Sequence, residues 1–267
     1  MGVLLNRLLT MLNDSPPKST DYHIVLTLLM NFHSLYDMTI SEVAKLCIVS
    51  KSTISKFIRS IDFEDYASFR TAAAFKQNKY GFKLNYNQNI AEYIEEKGMD
   101  SYLEIIHKDI EECKKFIDMN KIDELAKYLI KYKKVASFGL LFSEIATLDL
   151  QTKLAYNGKF IITNLNDVKQ DQFINNAKED TLIIIFSNSG SYMQRYQLSE
   201  FQITKSFLNT KAKIVLITSN KEMEKLGKVD LCINFKHTTN VQTHSIIFQL
   251  INDYITLRYR QLTRKKE

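Results

Sequence analysis

Five short apolar runs in the second half of the chain constrain its fold most. They are bounded by Gly, Asn, Ser or Asp and read KVASFG, GKFIIT, DTLIIIFSNSG, AKIVLITSN and VDLCINF. Stretches with helical character lie between or after these runs, at 142–157, 167–176, 192–208, 222–227 and 240–262. Continuous apolar strands that alternate with helices are typical of a parallel sheet covered on both faces. The pattern therefore predicts a three-layer α/β/α domain with a five-stranded parallel sheet.

The first 80 residues have a different pattern, which predicts helices only. Leucines at positions 5, 8, 9 and 12 recur at helical spacing. The segment DSPPKST holds both prolines of the chain and interrupts this pattern, and a second helix is predicted to begin near Thr20 or Asp21. We therefore divide the chain into an all-helical domain at 1–80, a polar linker at 81–105 and the α/β domain at 106–267.

Two short helices, at 39–47 and 50–61, fit a helix-turn-helix motif. The first begins at the tetrapeptide TISE, where Thr39 and Glu42 are predicted to form a capping box. The second is predicted to have Ser50 as its N-cap. Its apolar face consists of Ile54, Phe57, Ile58 and Ile61. In such a motif the second helix enters the major groove of DNA, and its N-terminal residues contact base edges.

The polar side of this second helix carries hydroxyl groups and cations, and no acid appears before Asp62. Lysine and arginine attract phosphates, and serine and threonine hydroxyls bond to phosphates or base edges. The candidate DNA-binding residues are therefore Ser50, Lys51, Ser52, Thr53, Ser55, Lys56 and Arg59. On periodicity alone, a solvated helical face explains the same pattern equally well.

The charge and the cysteines of the chain exclude some classes of protein but do not identify its function. The 267 residues carry 36 basic and 30 acidic side chains, a net charge of +6, which permits nucleic-acid binding but does not establish it. Cys47, Cys113 and Cys232 lie far apart and form no CxxC pair, so neither a disulfide framework nor a structural metal site is predicted. No apolar run approaches the ~18 residues of a membrane span. We expect a soluble cytoplasmic protein without a cofactor.

A loop after the third apolar run is the strongest candidate for ligand binding. In FSNSGSY, the hydroxyls of Ser187, Ser189 and Ser191 and the N–H groups of the next helix can cradle a phosphate. Gly190 would let the backbone approach the ligand closely. A polar turn that merely caps a helix is the competing interpretation of this loop.

The helix-turn-helix region resembles that of the RpiR/MurR-type bacterial transcription regulators. The resemblance rests on TISEVA in the first helix and on VSKSTISKF at the start of the second. Two positions depart from the family pattern. Lys56 stands where arginine is usual, and it keeps the charge but loses the bidentate fork. Asp62 stands where glycine is usual, and aspartate tolerates a left-handed helix end better than most residues.

The second half resembles the sugar isomerase (SIS) domain that usually accompanies this helix-turn-helix. FSNSGS resembles the S-x-S-G loop of that domain, and SFGLLFSE resembles its first G-x-G-x-S loop. The resemblance implies a phosphosugar site formed by Ser143, Ser187, Asn188, Ser189, Gly190 and Ser191. Leu141 replaces the second glycine of the first loop, and Ser191 and Tyr192 replace the last two residues of the second.

Together these resemblances imply a transcription regulator that is not an enzyme. Its partners would be double-stranded operator DNA, a phosphorylated sugar or amino sugar as effector, and further copies of itself in a homodimer or higher homo-oligomer. One alternative is a sugar-phosphate isomerase with a helical appendage, for which Glu144, His237 and His244 are the candidate bases. Another is a DNA-binding regulator whose SIS domain has lost its ligand.

Overall fold

The structure, a computed structural model, describes residues 2–73, 86–194, 210–225, 227–237, 239 and 241–264. The described residues fall into two compact units. The N-terminal unit consists of residues 2–73 together with Leu165–Val168, and the C-terminal unit contains the other described residues. Among the described helices, none combines the length and the apolar character needed to span a lipid bilayer.

The N-terminal unit is built from helices, as the sequence predicts. They are α1 (Gly2–Asp14), α2 (Thr20–Met30), a 3₁₀ turn (Phe32–Ser34), α3 (Ile40–Leu46), α4 (Lys51–Ser60) and α5 (Tyr66–Ala72). Buried apolar side chains of all five α-helices form one core, which includes Leu4, Leu8, Ile24, Leu28, Val43, Ile54, Phe57, Ile58 and Phe69.

Side-chain caps fix where these helices begin. The predicted capping box is present: Glu42 N–H donates to the Thr39 hydroxyl at 3.3 Å, and Thr39 N–H donates to the Glu42 carboxylate at 2.7 Å. Ser50 caps α4 by accepting from Thr53 N–H at 3.1 Å. Asp65 caps α5 in the same way. Each cap satisfies an N–H group that the helix itself leaves unpaired.

The C-terminal unit consists of a parallel sheet with helices on both faces. Its helices are α6 (Tyr86–Lys97), α7 (Met99–Phe116), α8 (Met119–Lys131), α9 (Phe142–Ala155), α10 (Asp167–Asn176), whose first residues belong to the N-terminal unit, and α11 (His244–Arg264). Its strands are β1 (Lys134–Phe138), β2 (Thr181–Phe186), β3 (Lys213–Thr218) and β4 (Leu231–Asn234). Helix α6 and the first turns of α7 fall within the segment 81–105 that we interpret as a linker.

All neighbouring strands pair in parallel, in the order β1-β2-β3-β4. Residues 182–186 alternate between two cores. Leu182, Ile184 and Phe186 pack with α8, α9 and α11 on one face, while Ile183 and Ile185 pack with Ile174 and Tyr192 on the other. The three-layer prediction is therefore confirmed.

The prediction of five strands was wrong for the described chain, because the run GKFIIT forms only a single bridge, between Ala136 and Ile162. Two backbone hydrogen bonds hold it to the outer edge of β1: Ser137 N–H to Ile162 O and Ile162 N–H to Val135 O. Only Ile161 of this run is buried, whereas Phe160 and Ile162 are exposed. An apolar run that buries one side chain gains too little from packing to extend the ladder.

Two predicted helices are shorter or only partly described. The stretch predicted at 222–227 is a 3₁₀ turn, Lys221–Lys225. The helix predicted at 192–208 begins as a 3₁₀ turn at Ser191–Gln194, and its remainder, from 195, lies outside the described residues.

Candidate functional site

Helix α4 presents the candidate DNA-binding residues on the side opposite its buried face. Ile54, Phe57 and Ile58 lie in the core of the N-terminal unit. Five of the seven candidates are exposed and two, Thr53 and Ser55, are half-buried. Because none of the seven is fully buried, the helix offers a continuous surface of hydroxyl, ammonium and guanidinium groups.

Three hydroxyls gather at the N-terminus of α4. The Ser50 hydroxyl lies 2.7 Å from that of Ser52 and 2.8 Å from that of Thr53, and it also accepts the capping bond from Thr53 N–H. These residues therefore hold one another in place, and the main structural role of Ser50 is to cap the helix. Their network lies in the part of the helix that contacts base edges in helix-turn-helix proteins.

The turns that follow α3 and α4 each contain a residue in the left-handed conformation that normally favours glycine. Ile48, between α3 and α4, has φ +55°, and Asp62, after α4, has φ +63°. After α3, Val49 N–H reaches back to Ala44 O at 3.0 Å, and after α4, Phe63 N–H reaches back to Ile58 O at 3.1 Å. These bonds are typical of left-handed helix C-caps. Asp62 therefore adopts the left-handed conformation that the sequence predicts it to tolerate.

The second candidate loop, residues 187–191, follows β2 and is closed by its own hydroxyls. The buried Ser187 hydroxyl accepts from Tyr192 N–H at 3.2 Å. The exposed Ser189 hydroxyl donates to Ser191 Oγ at 2.9 Å and accepts from Ser191 N–H at 3.3 Å. The hydroxyls of Ser189 and Ser191 are therefore accessible to a ligand, whereas that of Ser187 maintains the shape of the loop.

Asn188 anchors this loop to the end of β3. Its carbonyl oxygen accepts from Ser219 N–H at 3.0 Å and from the hydroxyls of Thr218 and Ser219 at 2.8 and 2.9 Å. Its side-chain Oδ1 is buried and has no hydrogen-bond partner among the described residues. A ligand hydroxyl that reached this oxygen would supply the hydrogen-bond donor that it lacks among the described residues.

The first candidate loop follows β1 and keeps the shape expected of a glycine-rich loop. Leu141 has φ +53°, a conformation that glycine adopts readily and leucine rarely. Gly139 packs so closely that a Cβ atom there would lie 2.7 Å from Ser143 O. Ser143 itself is buried. Leu141 therefore holds a backbone conformation that glycine would adopt at lower cost.

Gln170, which the sequence did not single out, connects the two loops. Its buried side chain donates to Gly139 O at 2.9 Å and accepts from the Tyr192 hydroxyl at 2.6 Å. The loops therefore lie side by side, at the carboxyl ends of the adjacent parallel strands β1 and β2, where open α/β sheets bind ligands. A single glutamine in a polar helix gave no pattern by which this contact could be predicted.

The three candidate bases are buried to different degrees. Burial raises the pKa of Glu144 to about 7, and its Oε1 has no hydrogen-bond partner among the described residues. Burial and the neighbouring His237 lower the pKa of His244 to about 4. Burial likewise lowers the pKa of His237, despite the Asp109 carboxylate 3.7 Å away.

The two histidines belong to a packed cluster at the start of α11. His237 Nε2 lies 3.1 Å from the Thr243 hydroxyl, which donates to the buried carboxylate of Asp109. The His244 ring meets that of Phe248 edge-on at 5.7 Å. Within the described residues, no group of His, Cys, Asp and Glu is arranged to hold a metal ion. The cluster therefore connects α7 to the start of α11.

The helical region matches a known protein family. Residues 4–80 match the family described as the helix-turn-helix domain of the rpiR family. This region is an rpiR-family helix-turn-helix domain.

Two relatives that extend beyond the helical region are named as transcription regulators. An uncharacterized HTH-type transcriptional regulator in the aarA 3' region of Providencia stuartii is 21% identical over 99% of this chain and 93% of its own length. The HTH-type transcriptional regulator GlvR of Bacillus subtilis is 25% identical over 70% of this chain and 66% of its own length. Both relatives are thus named as HTH-type regulators, in agreement with the match of the helical region.

One solved structure has a similar fold over nearly the whole chain. The Vibrio vulnificus NanR protein complexed with ManNAc-6P covers 98% of this chain and 93% of its own length, with a TM-score of 0.53 and 15% identity. At this identity the likeness concerns the fold alone. The fold of this chain, with its α/β domain after the helical domain, is thus similar to that of the NanR protein.

Proposed function

We propose that this chain is a cytoplasmic DNA-binding transcription regulator whose α/β domain binds a phosphorylated sugar or amino sugar and thereby changes its affinity for operator DNA. The observation that carries this proposal is the match of residues 4–80 to the rpiR-family helix-turn-helix domain. The exposed surface of α4 supports it, because that surface carries cations and hydroxyls and no carboxylate. The chain is a regulator rather than an enzyme.

Operator recognition would use the two ends of α4 differently. The hydroxyls of Ser52 and Thr53, at its N-terminus, are in position to meet base edges. Lys56 and Arg59, further along the exposed side, are long enough to reach phosphates. The first group would set sequence preference, and the second would supply most of the salt-dependent affinity.

The effector site would combine the two loops at the ends of β1 and β2. The accessible hydroxyls of Ser189 and Ser191 suit a phosphate, and the Oδ1 of Asn188, which has no partner within the described part of the chain, suits a sugar hydroxyl. The complex of V. vulnificus NanR with ManNAc-6P supports an amino-sugar phosphate as the chemical class. The glycine-like backbone of Leu141 favours an intact site over one that has lost its ligand.

Binding as a homodimer would present two copies of α4 to two half-sites of the operator. One surface of the C-terminal unit suits contact with a second copy. Along α9 and the segment after it, Tyr156 and Phe160 are 88% and 78% exposed, next to the exposed Ile145, Leu148 and Ile162. The two rings border an open cleft of about 510 Å³ that also includes Gln151 and Ala155. A patch with protruding rings beside a cleft can be self-complementary, as a two-fold interface requires.

The dimer proposal is tested by sedimentation equilibrium of the full chain. Replacing Tyr156 and Phe160 together by glutamate should convert a dimer to a monomer, because two charges would then be buried without partners. The exposed Leu257 on α11 offers a control, since Leu257→Glu lies outside the patch and should leave the mass unchanged. An unchanged mass in the double variant would exclude this surface.

The second candidate function, sugar-phosphate isomerisation, has weaker support. It would require an acid or base within reach of the sugar carbon chain. His237 and His244 are engaged in the packed cluster with Asp109 and Phe248. Only Glu144, next to the buried Ser143, remains as a base near the first loop. Turnover of sugar phosphates by the purified chain would favour the enzyme.

Effector binding is tested by thermal unfolding in the presence of a panel of sugar phosphates and amino-sugar phosphates. A ligand at 100 times its dissociation constant should raise the free energy of unfolding by about 2.7 kcal/mol. Ser189→Ala should remove much of this gain, while Ser101→Ala, a hydroxyl deletion on α7, should keep it. If no compound shifts the wild type, the effector proposal fails. A shift that persists fully in Ser189→Ala would place the site in another loop.

A further inference from the structure

Arg7 of α1 holds the C-terminal end of α4. Its Nη1 donates to Ile61 O at 3.0 Å and to Asp62 O at 2.7 Å. The guanidinium also stacks over the ring of Phe63, with 4.7 Å between Cζ and the ring centroid. One side chain thus contacts three consecutive residues at the turn that ends the helix.

A carboxylate orients this arginine from the other side. Asp167 accepts two parallel hydrogen bonds, from Arg7 Nε at 3.0 Å and from Nη2 at 3.1 Å. The side chains are only 9% and 3% exposed. Next to this pair, the Asn6 side chain donates to Leu165 O at 2.8 Å. All these residues belong to the N-terminal unit.

The physical need for such an arginine arises at the end of α4. The last carbonyl groups of a helix lack intrahelical partners and carry partial negative charge. Asp62 also has a left-handed backbone conformation, which is unfavourable for a residue with a side chain. The buried guanidinium satisfies the carbonyl of the C-cap residue Ile61 and that of Asp62 just beyond it. A buried cation needs a counter-charge, which Asp167 provides in the bidentate geometry that only arginine matches.

We infer that Arg7 is a positioning residue for operator recognition, with Asp167 as the group that orients it. Arg59 lies in the turn that Arg7 holds, because Asp62 N–H bonds to Arg59 O at 3.1 Å. The pair of Arg7 and Asp167, which we call the clamp, therefore fixes the position and orientation of the DNA-facing side of α4. Arg7 itself is buried, so it acts through α4 and touches no phosphate. The inference rests on the proposed function and adds the device that holds the recognition helix in place.

The test measures DNA affinity at several salt concentrations with the full chain. The probe is the tightest duplex that the wild-type protein selects from a library of randomised DNA duplexes. Arg7→Met should weaken binding about tenfold, the loss expected for one or two hydrogen bonds to a charged group. The slope of log affinity against log salt should stay at the wild-type value, because a buried residue releases no counterion. Unchanged affinity, or a shallower slope, would overturn the inference.

A double variant separates positioning from general stability. Asp167→Asn leaves Arg7 as an uncompensated buried cation, so it should lower both the thermal midpoint and the DNA affinity. Adding Arg7→Met removes the second charge and should restore much of the midpoint, while affinity stays low because the end of α4 remains unheld. Affinity that recovers together with the midpoint would reduce the pair to a structural role and overturn the inference.

The outcomes also distinguish this inference from the proposed function. If the wild type selects no duplex from the library, operator binding itself fails. If the wild type selects a duplex and Arg7→Met does not fold, Asp167→Asn decides, because it retains the shape of the side chain. In that case wild-type affinity in Asp167→Asn would contradict the clamp, and a loss of affinity at constant salt slope would support it.

Discussion

Gly190 and the side chain of Met223 pack so closely that no Cβ atom fits between them. A Cβ on Gly190 would lie 2.4 Å from Met223 Sδ and 2.5 Å from Cγ, and the φ angle of Gly190 is +76°. The sequence predicts that this glycine allows close approach of a ligand. The contact with Met223 explains its presence by the packing of the loop itself.

Gly190→Ala should therefore lower the free energy of unfolding by about 1–3 kcal/mol, since it combines overpacking with a left-handed backbone. The measurement is urea-induced unfolding. In a Met223→Ala background the clash is absent, so the same substitution should cost less there. Equal costs in the two backgrounds would show that Met223 does not make this position glycine-only.

Ile48→Gly should stabilise the protein. Ile48 is a β-branched residue with φ +55° and is 83% exposed, so it carries the strain of a left-handed conformation with almost no packing gain. Relief of about 1–2 kcal/mol of strain exceeds the entropy that glycine loses on folding, and a net gain of roughly 0.5–1 kcal/mol is expected. Thermal or urea unfolding measures it.

Leu9→Gly is the matched control for Ile48→Gly. Leu9 is also an exposed apolar residue, but it lies within α1. Glycine in a helix interior should cost about 1 kcal/mol. If Ile48→Gly destabilises by a similar amount, the turn between α3 and α4 is not strained in the way described above.

Glu144 makes stability depend on pH in a defined window. Burial raises its pKa from 4.5 to about 7, so the folded protein holds this proton more tightly than the unfolded chain. The resulting stability is complete below pH 4.5 and is lost as the pH rises towards 7. In Glu144→Gln this decline should be absent, which unfolding midpoints across the window will measure.

His244 acts in the opposite direction over part of the same range. Its pKa falls from 6.5 to about 4 in the folded protein, so stability is lost as the pH falls from 6.5 towards 4. Glu144→Gln should therefore expose a steeper rise of stability between these values, and His244→Gln should reduce that rise, while the lowered pKa of His237 maintains the remainder. Parallel pH profiles for the wild type and Glu144→Gln would refute the assignment of a raised pKa to Glu144.

Lys56 and Arg59 should supply salt-dependent affinity for DNA. Replacing either by alanine should make the slope of log affinity against log salt shallower by about one for each lost phosphate contact. If a side chain contacts a base instead, affinity should fall by about 1–3 kcal/mol for the cognate sequence only. Lys178→Ala, an exposed lysine before β2, should change neither quantity. Wild-type affinity and slope in both α4 variants would remove these residues from the interface.

Local signals made the helix-turn-helix predictable from the sequence. The capping box at Thr39 and Glu42 and the N-cap at Ser50 each depend on residues within three positions of one another. The left-handed turn at Asp62 could also be anticipated, because few side chains other than Asn and Asp tolerate it. The same turn at Ile48 could not, since nothing in the sequence marks an isoleucine for that conformation.

Contacts between distant parts of the chain were beyond prediction. Arg7 and Asp167 are 160 residues apart, and neither stands in a recognisable pattern. Gln170 connects the two candidate loops only because two parallel strands end side by side. The fifth strand failed for a related reason: the apolar character of GKFIIT is clear from the sequence, but the exposure of Phe160 and Ile162 depends on what packs against them.

The central claim is that a sugar phosphate bound to the α/β domain changes the affinity of the helix-turn-helix for DNA. It is tested most directly by titrating the full chain with its selected duplex, with and without each compound that raises its thermal midpoint. The account predicts that at least one compound changes the affinity at least about fivefold, the lower end of typical coupling between sites. It also predicts that Ser189→Ala weakens this response while leaving affinity without the compound unchanged. A compound that binds the protein tightly and leaves its DNA affinity the same would contradict the account.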